Sequence, residues 1–500
     1  MHVSLSDRIV EGVSVRWAAL CVPVLVIATA TAVRATPGDL DPSFGTGGKV
    51  TTPIGSFTTD FATALALQAD GKLVAAGYTI HGGSDYDFAV TRYDIDGTLD
   101  GTFGTGGKVT TPIGSGIDDA RAVAIQADGK IVAAGYTAGS DPGDFALVRY
   151  DTDGTLDGTF GTGGKVTTSI GSGADVVQAL VVQTDGKLVA AGRTAIGNDN
   201  HLALVRYNSD GSLDGAFGTG GKVTTSIGSS NEAAALVVQT DGKLVAAGKA
   251  VNGDGNTDFA LVRYNADGTL DGTFGTGGIV VTDFGSFDEA NALVLQTDGR
   301  LVAAGYTYGG TNSGDFALAR YNTDGSLDGN FGTGGKVTTT TACCGDVATG
   351  LVVQTDGKLV AGGYTIQLQY DFALARYNTN GSLDGTFGAG GMVTTPVGGG
   401  QDLAFALVRQ ADGKLVAAGT AETFQGNDFA LVRYLNDSCG AEGSACDDGN
   451  GCTGPDICQA GVCRPGACHV GQVCSGGGCD PAMRCAQSAG CDPTCSCQLP

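Results

Sequence analysis

An all-β ring of seven four-stranded antiparallel sheets, followed by a small disulfide-rich tail, is predicted by three observations. A 57-residue unit recurs seven times between Leu40 and Tyr434. Each unit holds four short apolar runs set apart by turn residues, and the array opens with one run too many and closes with one too few.

The phrase FGTGGKV or a close variant begins at Phe44, Phe103, Phe160, Phe217, Phe274, Phe331 and Phe387, and each unit ends in Arg-Tyr, from Tyr93 to Tyr434. A fixed period of this length marks one supersecondary unit stacked on itself, as an open solenoid or a closed ring. In the second unit the runs are KVTT (108–111), AVAIQ (122–126), KIVAAG (130–135) and FALVRY (145–150). All are rich in β-branched or aromatic residues and too short for helices. Asp128-Gly129 lies between the second and third runs, as do Asp-Gly pairs at Asp70, Asp185, Asp241, Asp298, Asp356 and Asp412. A two-residue type I′ hairpin is the expected connection. The runs are apolar on both faces, so each sheet needs cover on both sides, which radial packing of blades provides. If a blade is ordered AxALxxQ, KLVAAG, FALVRY, KVTT, the last blade lacks its outer strand and the copy at Lys49 to Thr52 is left over. Docking one on the other closes a seven-bladed β-propeller with no open edge.

Residues 1–35 read as an export signal. Arg8 and Arg16 precede an uncharged run from Trp17 to Val33, with small residues suited to cleavage after Ala32 or Ala35, and Cys21 is lost with it. Membrane attachment is expected only if this segment is retained. The propeller is assigned to 36–437 and a stapled tail to 438–500. Twelve of 15 cysteines fall in that tail: Cys439, Cys446, Cys452, Cys458, Cys463, Cys468, Cys474, Cys479, Cys485, Cys491, Cys495 and Cys497. With few large apolar residues there, disulfides are the expected staple. Zinc is disfavoured by the absence of C-x-x-C and by a lone His469. The vicinal pair Cys343 and Cys344 completes an even set.

The net charge of -24 excludes nucleic acid as a partner. The acidic loops after Arg-Tyr offer the one cofactor candidate, calcium, through Asp94, Asp96 and Asp100, and Asp151, Asp153 and Asp157. The competing reading is a turn capped by its own side chains, favoured because the loop recurs as scaffold does. The Arg of each Arg-Tyr is expected to pair with the Asp before the Phe (Asp87, Asp144, Asp258, Asp315, Asp371, Asp428) or with the Asp of Leu-Asp. The sharper alternative is a ring of cations for an anion. No catalytic residue is assigned. After the signal the only histidines are His81, His201 and His469, and neither a Gly-x-Ser-x-Gly elbow nor HExxH occurs. The GTGGK phrases precede strands, so they are turns and not phosphate cradles.

The phrases LDxxFGxxGKV, QxDGKLVAAG and DFALxRYxxDGSLD, in fixed order in all seven units, make the chain resemble the delta-60 repeat proteins of bacteria. The tail phrase CDDGNGCTGPDICQAGVCRPG resembles the Asp-Asp-Gly-Asn cysteine-rich repeats of bacterial surface proteins. The resemblance implies an exported propeller and brings no activity. The expected function is a secreted or cell-surface, non-enzymatic, monomeric interaction scaffold for an extracellular protein or glycan. The alternatives are a hydrolase or lyase using pocket carboxylates and a calcium-dependent glycan-binding module. Two connections per unit vary freely, from KVTT to AxALxxQ and from KLVAAG to DFAL, including Thr341 to Asp346 and Ile366 to Gln369. Antiparallel order puts both on one face, the expected partner face.

Overall fold

The computed structural model describes residues 36–436, apart from loop stretches at 56–57, 83–84, 140–142, 252–254, 286, 309–313, 341–344, 367–368 and 425, together with five short strands of the tail. Each blade has four antiparallel strands paired in order, the first three from one unit and the outer one from the KVTT run of the next. The third blade runs Asp175–Val182, Leu188–Ile196, Asp199–Tyr207 and Lys222–Thr225. The first strands of successive blades touch all round the ring, including Thr59–Leu67 against Asp402–Arg409, and so surround the axis. The seventh blade takes its outer strand from the N-terminal segment: Lys49–Thr52 pairs with Val432 back to Phe429. The protein is therefore all-β, a seven-bladed propeller.

The core lies between blades rather than within them. One cluster joins Val74, Ala76, Phe88 and Val90 of the first blade to Ile131, Ala133, Ala146 and Val148 of the second, and the other six junctions repeat the pattern. This is why strands with apolar residues on both faces fit the array: each face meets a different neighbour.

Two details differ from the sequence reading. The Asp-Gly connection is a three-residue loop, not a two-residue type I′ turn: Gln126 N–H bonds Lys130 C=O, Gly129 N–H bonds Gln126 C=O, and Gly129 sits at φ +82°. A single left-handed Gly after a tight turn gives the same strand twist. The first strand also begins earlier than expected, at Ile117 rather than Ala122, and it carries a β-bulge between Ala120 and Ala122. All seven first strands share this bulge. It explains the Gly of every KLVAAG phrase, since a Cβ on Gly135 would lie 1.9 Å from the Asp119 carbonyl oxygen.

In the tail, Ala445–Cys446, Asp456–Gln459 and Val462–Arg464 make a three-stranded sheet, and Val473–Ser475 pairs with Gly478–Asp480. Cys458 and Cys463 share a register position, as do Cys474 and Cys479. Cys343, Cys344, Cys439, Cys452, Cys468, Cys485, Cys491, Cys495 and Cys497 lie outside the described residues, as do residues 1–35, expected above to be an export signal.

Candidate functional site

The face carrying the uniform loops is held by a sevenfold staple. In the fourth blade Arg263 Nε donates to Asp271 at 2.7 Å, Nη1 to the Thr323 carbonyl of the next blade at 2.6 Å and Nη2 to Thr273 Oγ1 at 3.2 Å. Its guanidinium lies 4.4 Å from the Phe274 ring centre. The partner is thus the Asp of Leu-Asp, not the Asp before the Phe: Asp100, Asp157, Asp214, Asp271, Asp328 and Asp384, with Asp41 serving Arg433. The anion-binding ring of cations is overturned, because each guanidinium is buried at a blade junction and already occupied.

The acidic loops use their oxygens in the same network. Asp96 Oδ1 accepts from Thr98 N and Oγ1, and Asp100 Oδ1 from Thr102 N and Oγ1, while Asp94 pairs with Lys72. Asp153, Asp157 and Asp151 repeat this with Thr155, Thr159 and Lys130. Restoring calcium to chelator-treated protein is therefore expected to leave the melting temperature unchanged within about a degree. A site at a hundredfold its Kd would add about 2.7 kcal/mol, so a rise of many degrees that Asp96→Asn and Asp153→Asn abolish would overturn the turn assignment. Elsewhere, Asp258, Asp283 and Asp288 bring carboxylate oxygens within 4.8 Å of one another, the one such acidic group among the described residues.

The two faces respond oppositely to pH. Burial opposes ionisation of the stapled carboxylates, but hydrogen bonds from Thr102 and pairing with Lys72 and Arg92 outweigh it, so Asp100 is held well below the ordinary carboxylate range. Asp214, bonded by Lys187, is lowered to about 2. Their stabilisation is present above the unfolded value near ~3.9 and is lost as pH falls through their depressed values. On the variable face burial raises Asp175, Asp288, Asp371, Asp402 and Asp428. Their stabilisation is complete below the unfolded value and declines as pH rises through the raised ones. One junction departs from the pattern: His201 replaces the Asp before the Phe and Asn231 replaces the first-strand Asp. Asn231 still accepts from Gly228 N–H. Asp175→Asn is expected to retain stability below the unfolded carboxylate value and to flatten the decline on the way to neutral pH. A melting temperature lowered equally at acid and at neutral pH would refute this.

The seven bulges generate the feature that sequence reading missed. The bulged residues are Thr63, Arg121, Gln178, Ala234, Asn291, Thr349 and Phe405. Beside them lie cross-strand pairs such as Phe61 with Tyr78, Asp119 with Tyr136, Glu232 with Lys249 and Glu289 with Tyr306. These positions form a belt round the axis near the variable-loop ends of the first strands. Its members bond across blades: Thr63 Oγ1 to the Ala120 carbonyl at 2.6 Å, Gln178 Nε2 to Glu232 at 2.8 Å and Lys249 Nζ to Glu289 at 3.0 Å. Arg121 pairs with buried Asp119 at 2.6 Å and faces Tyr136, while Tyr306 Oη donates to Glu289 Oε2 at 2.8 Å. Burial raises Asp119, an effect Arg121 opposes. Most belt residues are half-buried and so reach water. The available signal was variation inside uniform strands: the flanking residues are the same in most units, with Asn231, Val177 and Gly350 as exceptions, while these three positions differ more widely. Bulges commonly re-aim side chains beside functional sites.

The family model described as a domain of unknown function (DUF5122) beta-propeller matches residues 68–103, 126–160, 183–217, 239–274, 296–331, 354–387 and 410–438. The chain is a propeller-repeat protein. Each matched segment begins at the end of a first strand and finishes near the following uniform loop, so the match misses the belt's bulges. No curated protein matches the sequence. Among solved structures, a protein of unknown function from Dyadobacter fermentans is 12% identical over 79% of this chain and 100% of its own, with TM-score 0.45. The polysaccharide lyase Uly1 is 13% identical over 75% and 90%, with TM-score 0.43. A virginiamycin B lyase from Staphylococcus aureus is 11% identical over 77% and 98%, with TM-score 0.36. Among the described residues no helix is long and apolar enough to cross a membrane.

Proposed function

We propose that this propeller is a non-enzymatic binding module, secreted or displayed at the cell surface, whose ligand sits at the mouth of the axis on the variable-loop face. One observation carries the reading: in an array where structural positions repeat sevenfold, the water-accessible belt round the axis is where blades differ in charge and shape. A scaffold needs sameness at its junctions, whereas recognition needs asymmetry. The belt carboxylates support binding over proton transfer. Asp119 is paired with Arg121, Glu232 lies beside Arg193 and Lys249, and Glu289 is bonded by Lys249 and Tyr306. The cysteine-rich tail and the leading apolar segment support an extracellular location, with the tail held by disulfides.

The test compares material retained from the native cell envelope by the intact chain and by a triple variant, Arg121→Ala, Arg193→Ala and Lys249→Ala, alongside a panel of hydrolase and lyase substrates. Loss of retention is expected from a variant that still melts cooperatively, at a lowered temperature because Arg121→Ala leaves buried Asp119 without its cation. Equal retention would refute the mouth as the site, and turnover abolished by Asp119→Asn or Glu289→Gln would refute the non-enzymatic reading.

A further inference from the structure

The belt is divided into two arcs. From the second blade to the fifth it carries three cations, Arg121, Arg193 and Lys249, and three carboxylates, Asp119, Glu232 and Glu289. Each cation lies against a carboxylate: Arg121 to Asp119 at 2.6 Å, Arg193 to Glu232 at 3.6 Å, Lys249 to Glu289 at 3.0 Å. From the fifth blade round to the first the belt and its margin carry aromatic rings, including Phe61 and Tyr78, stacked at 5.1 Å in the first blade. The rings of Tyr306 and Tyr308 meet edge-on at 5.4 Å, Tyr364 and Tyr370 lie 5.8 Å apart, and Phe405 is 6.5 Å from Tyr364. Tyr308 is 37% exposed and its neighbour Phe287 49%. The arcs meet at Glu289, which takes Lys249 on Oε1 and Tyr306 on Oε2.

We propose that this meeting point binds an uncharged saccharide, laid on the tyrosine shelf with its hydroxyls at Glu289 and Lys249; this rests on the mouth being a ligand site. Charge selects the class. The belt's cations and carboxylates cancel in contact pairs, so a charged ligand would have to break a pair and strand its partner. The net charge of -24 adds repulsion against polyanions. A wholly apolar ligand would cover Glu289 and Lys249 without giving them partners, at a cost in desolvation. A saccharide satisfies both arcs. Its C–H faces suit aromatic rings, and its hydroxyls both donate and accept, using the carboxylate lone pairs and ammonium protons that the Lys249–Glu289 pair leaves over.

The experiment titrates the full chain with neutral gluco-, manno-, galacto- and xylo-oligosaccharides, with oligouronates and sulfated oligosaccharides, and with a set of peptides. Binding to at least one neutral oligosaccharide is expected, weakened about tenfold or more by Glu289→Gln and by Tyr308→Ala. Tyr308 is exposed enough that its truncation should leave the melting temperature in place, and Lys222→Ala in an outer strand at the rim should leave the affinity in place. Binding of acidic glycans or peptides alone, lost in the same variants, overturns the saccharide and keeps the mouth. Neutral binding indifferent to both variants overturns the placement and counts against the mouth as well. No binding by any member overturns the saccharide, while the mouth then stands or falls on the envelope retention of the triple variant.

Discussion

A chain lacking residues 36–53 is expected to aggregate or to melt many degrees below the intact protein. The deletion removes the fourth strand of the seventh blade and exposes the edge running from Phe429 to Val432. Such an edge is a template for pairing with other chains. Phe44, fully buried, goes with it, which by the cost of emptying an aromatic site is worth about 3–5 kcal/mol. Arg433 loses Asp41, its partner at 2.8 Å, and orphaning a buried charge costs about 3–5 kcal/mol more. Together these approach the whole stability of an ordinary domain, about 5–15 kcal/mol. The seam is also crossed by Tyr93 Oη to Thr52 Oγ1 at 2.9 Å and by the Arg433 bond to the Ile95 carbonyl, so the first blade is loosened too. Melting that is unchanged after the deletion would mean that the ring does not depend on this closure.

The second large effect is expected from Arg263→Ala. That side chain joins its own loop, through Asp271, to the carbonyl of Thr323 in the next blade, and covers Phe274. Removing it leaves buried Asp271 with Lys243 at 3.0 Å as its one remaining cation beside the Thr273 hydrogen bonds, strands a junction carbonyl and uncovers an aromatic face. The loss is expected at about 3–5 kcal/mol, the range for breaking a buried pair by deleting one partner. Arg263→Lys should recover little, because an ammonium cannot reach Asp271, Thr273 and Thr323 in the fixed fork that guanidinium provides. Thermal melts of the two variants decide the matter; a fall of less than a degree in Arg263→Ala would show the staple to be incidental. Arg206→Ala should behave alike, since Arg206 bonds Asp214 and the Ala266 carbonyl in the same geometry.

Some of this was legible in the residues alone. The period fixed seven units, the alternating runs and Gly-rich turns fixed antiparallel strands, and the surplus KVTT at the start announced the closure seen at Lys49–Thr52. The repeated Arg announced a structural pair, because a charge in every buried strand must be compensated. Sequence left its partner open between two aspartates, and only packing chose. Asp271 lies eight residues beyond Arg263, where the uniform loop folds back beneath the strand end, whereas Asp258 sits at the far end of the same strand. The same holds for the belt. Thr63, Arg121, Gln178 and their counterparts read as arbitrary substitutions within a strand until a bulge in all seven blades removes them from the ladder and gathers them round one axis. A repeat determines architecture locally, since each unit needs the same contacts with its neighbours. A site built from seven units that touch only after the ring closes is decided by tertiary structure, because no stretch of chain contains the distances between them.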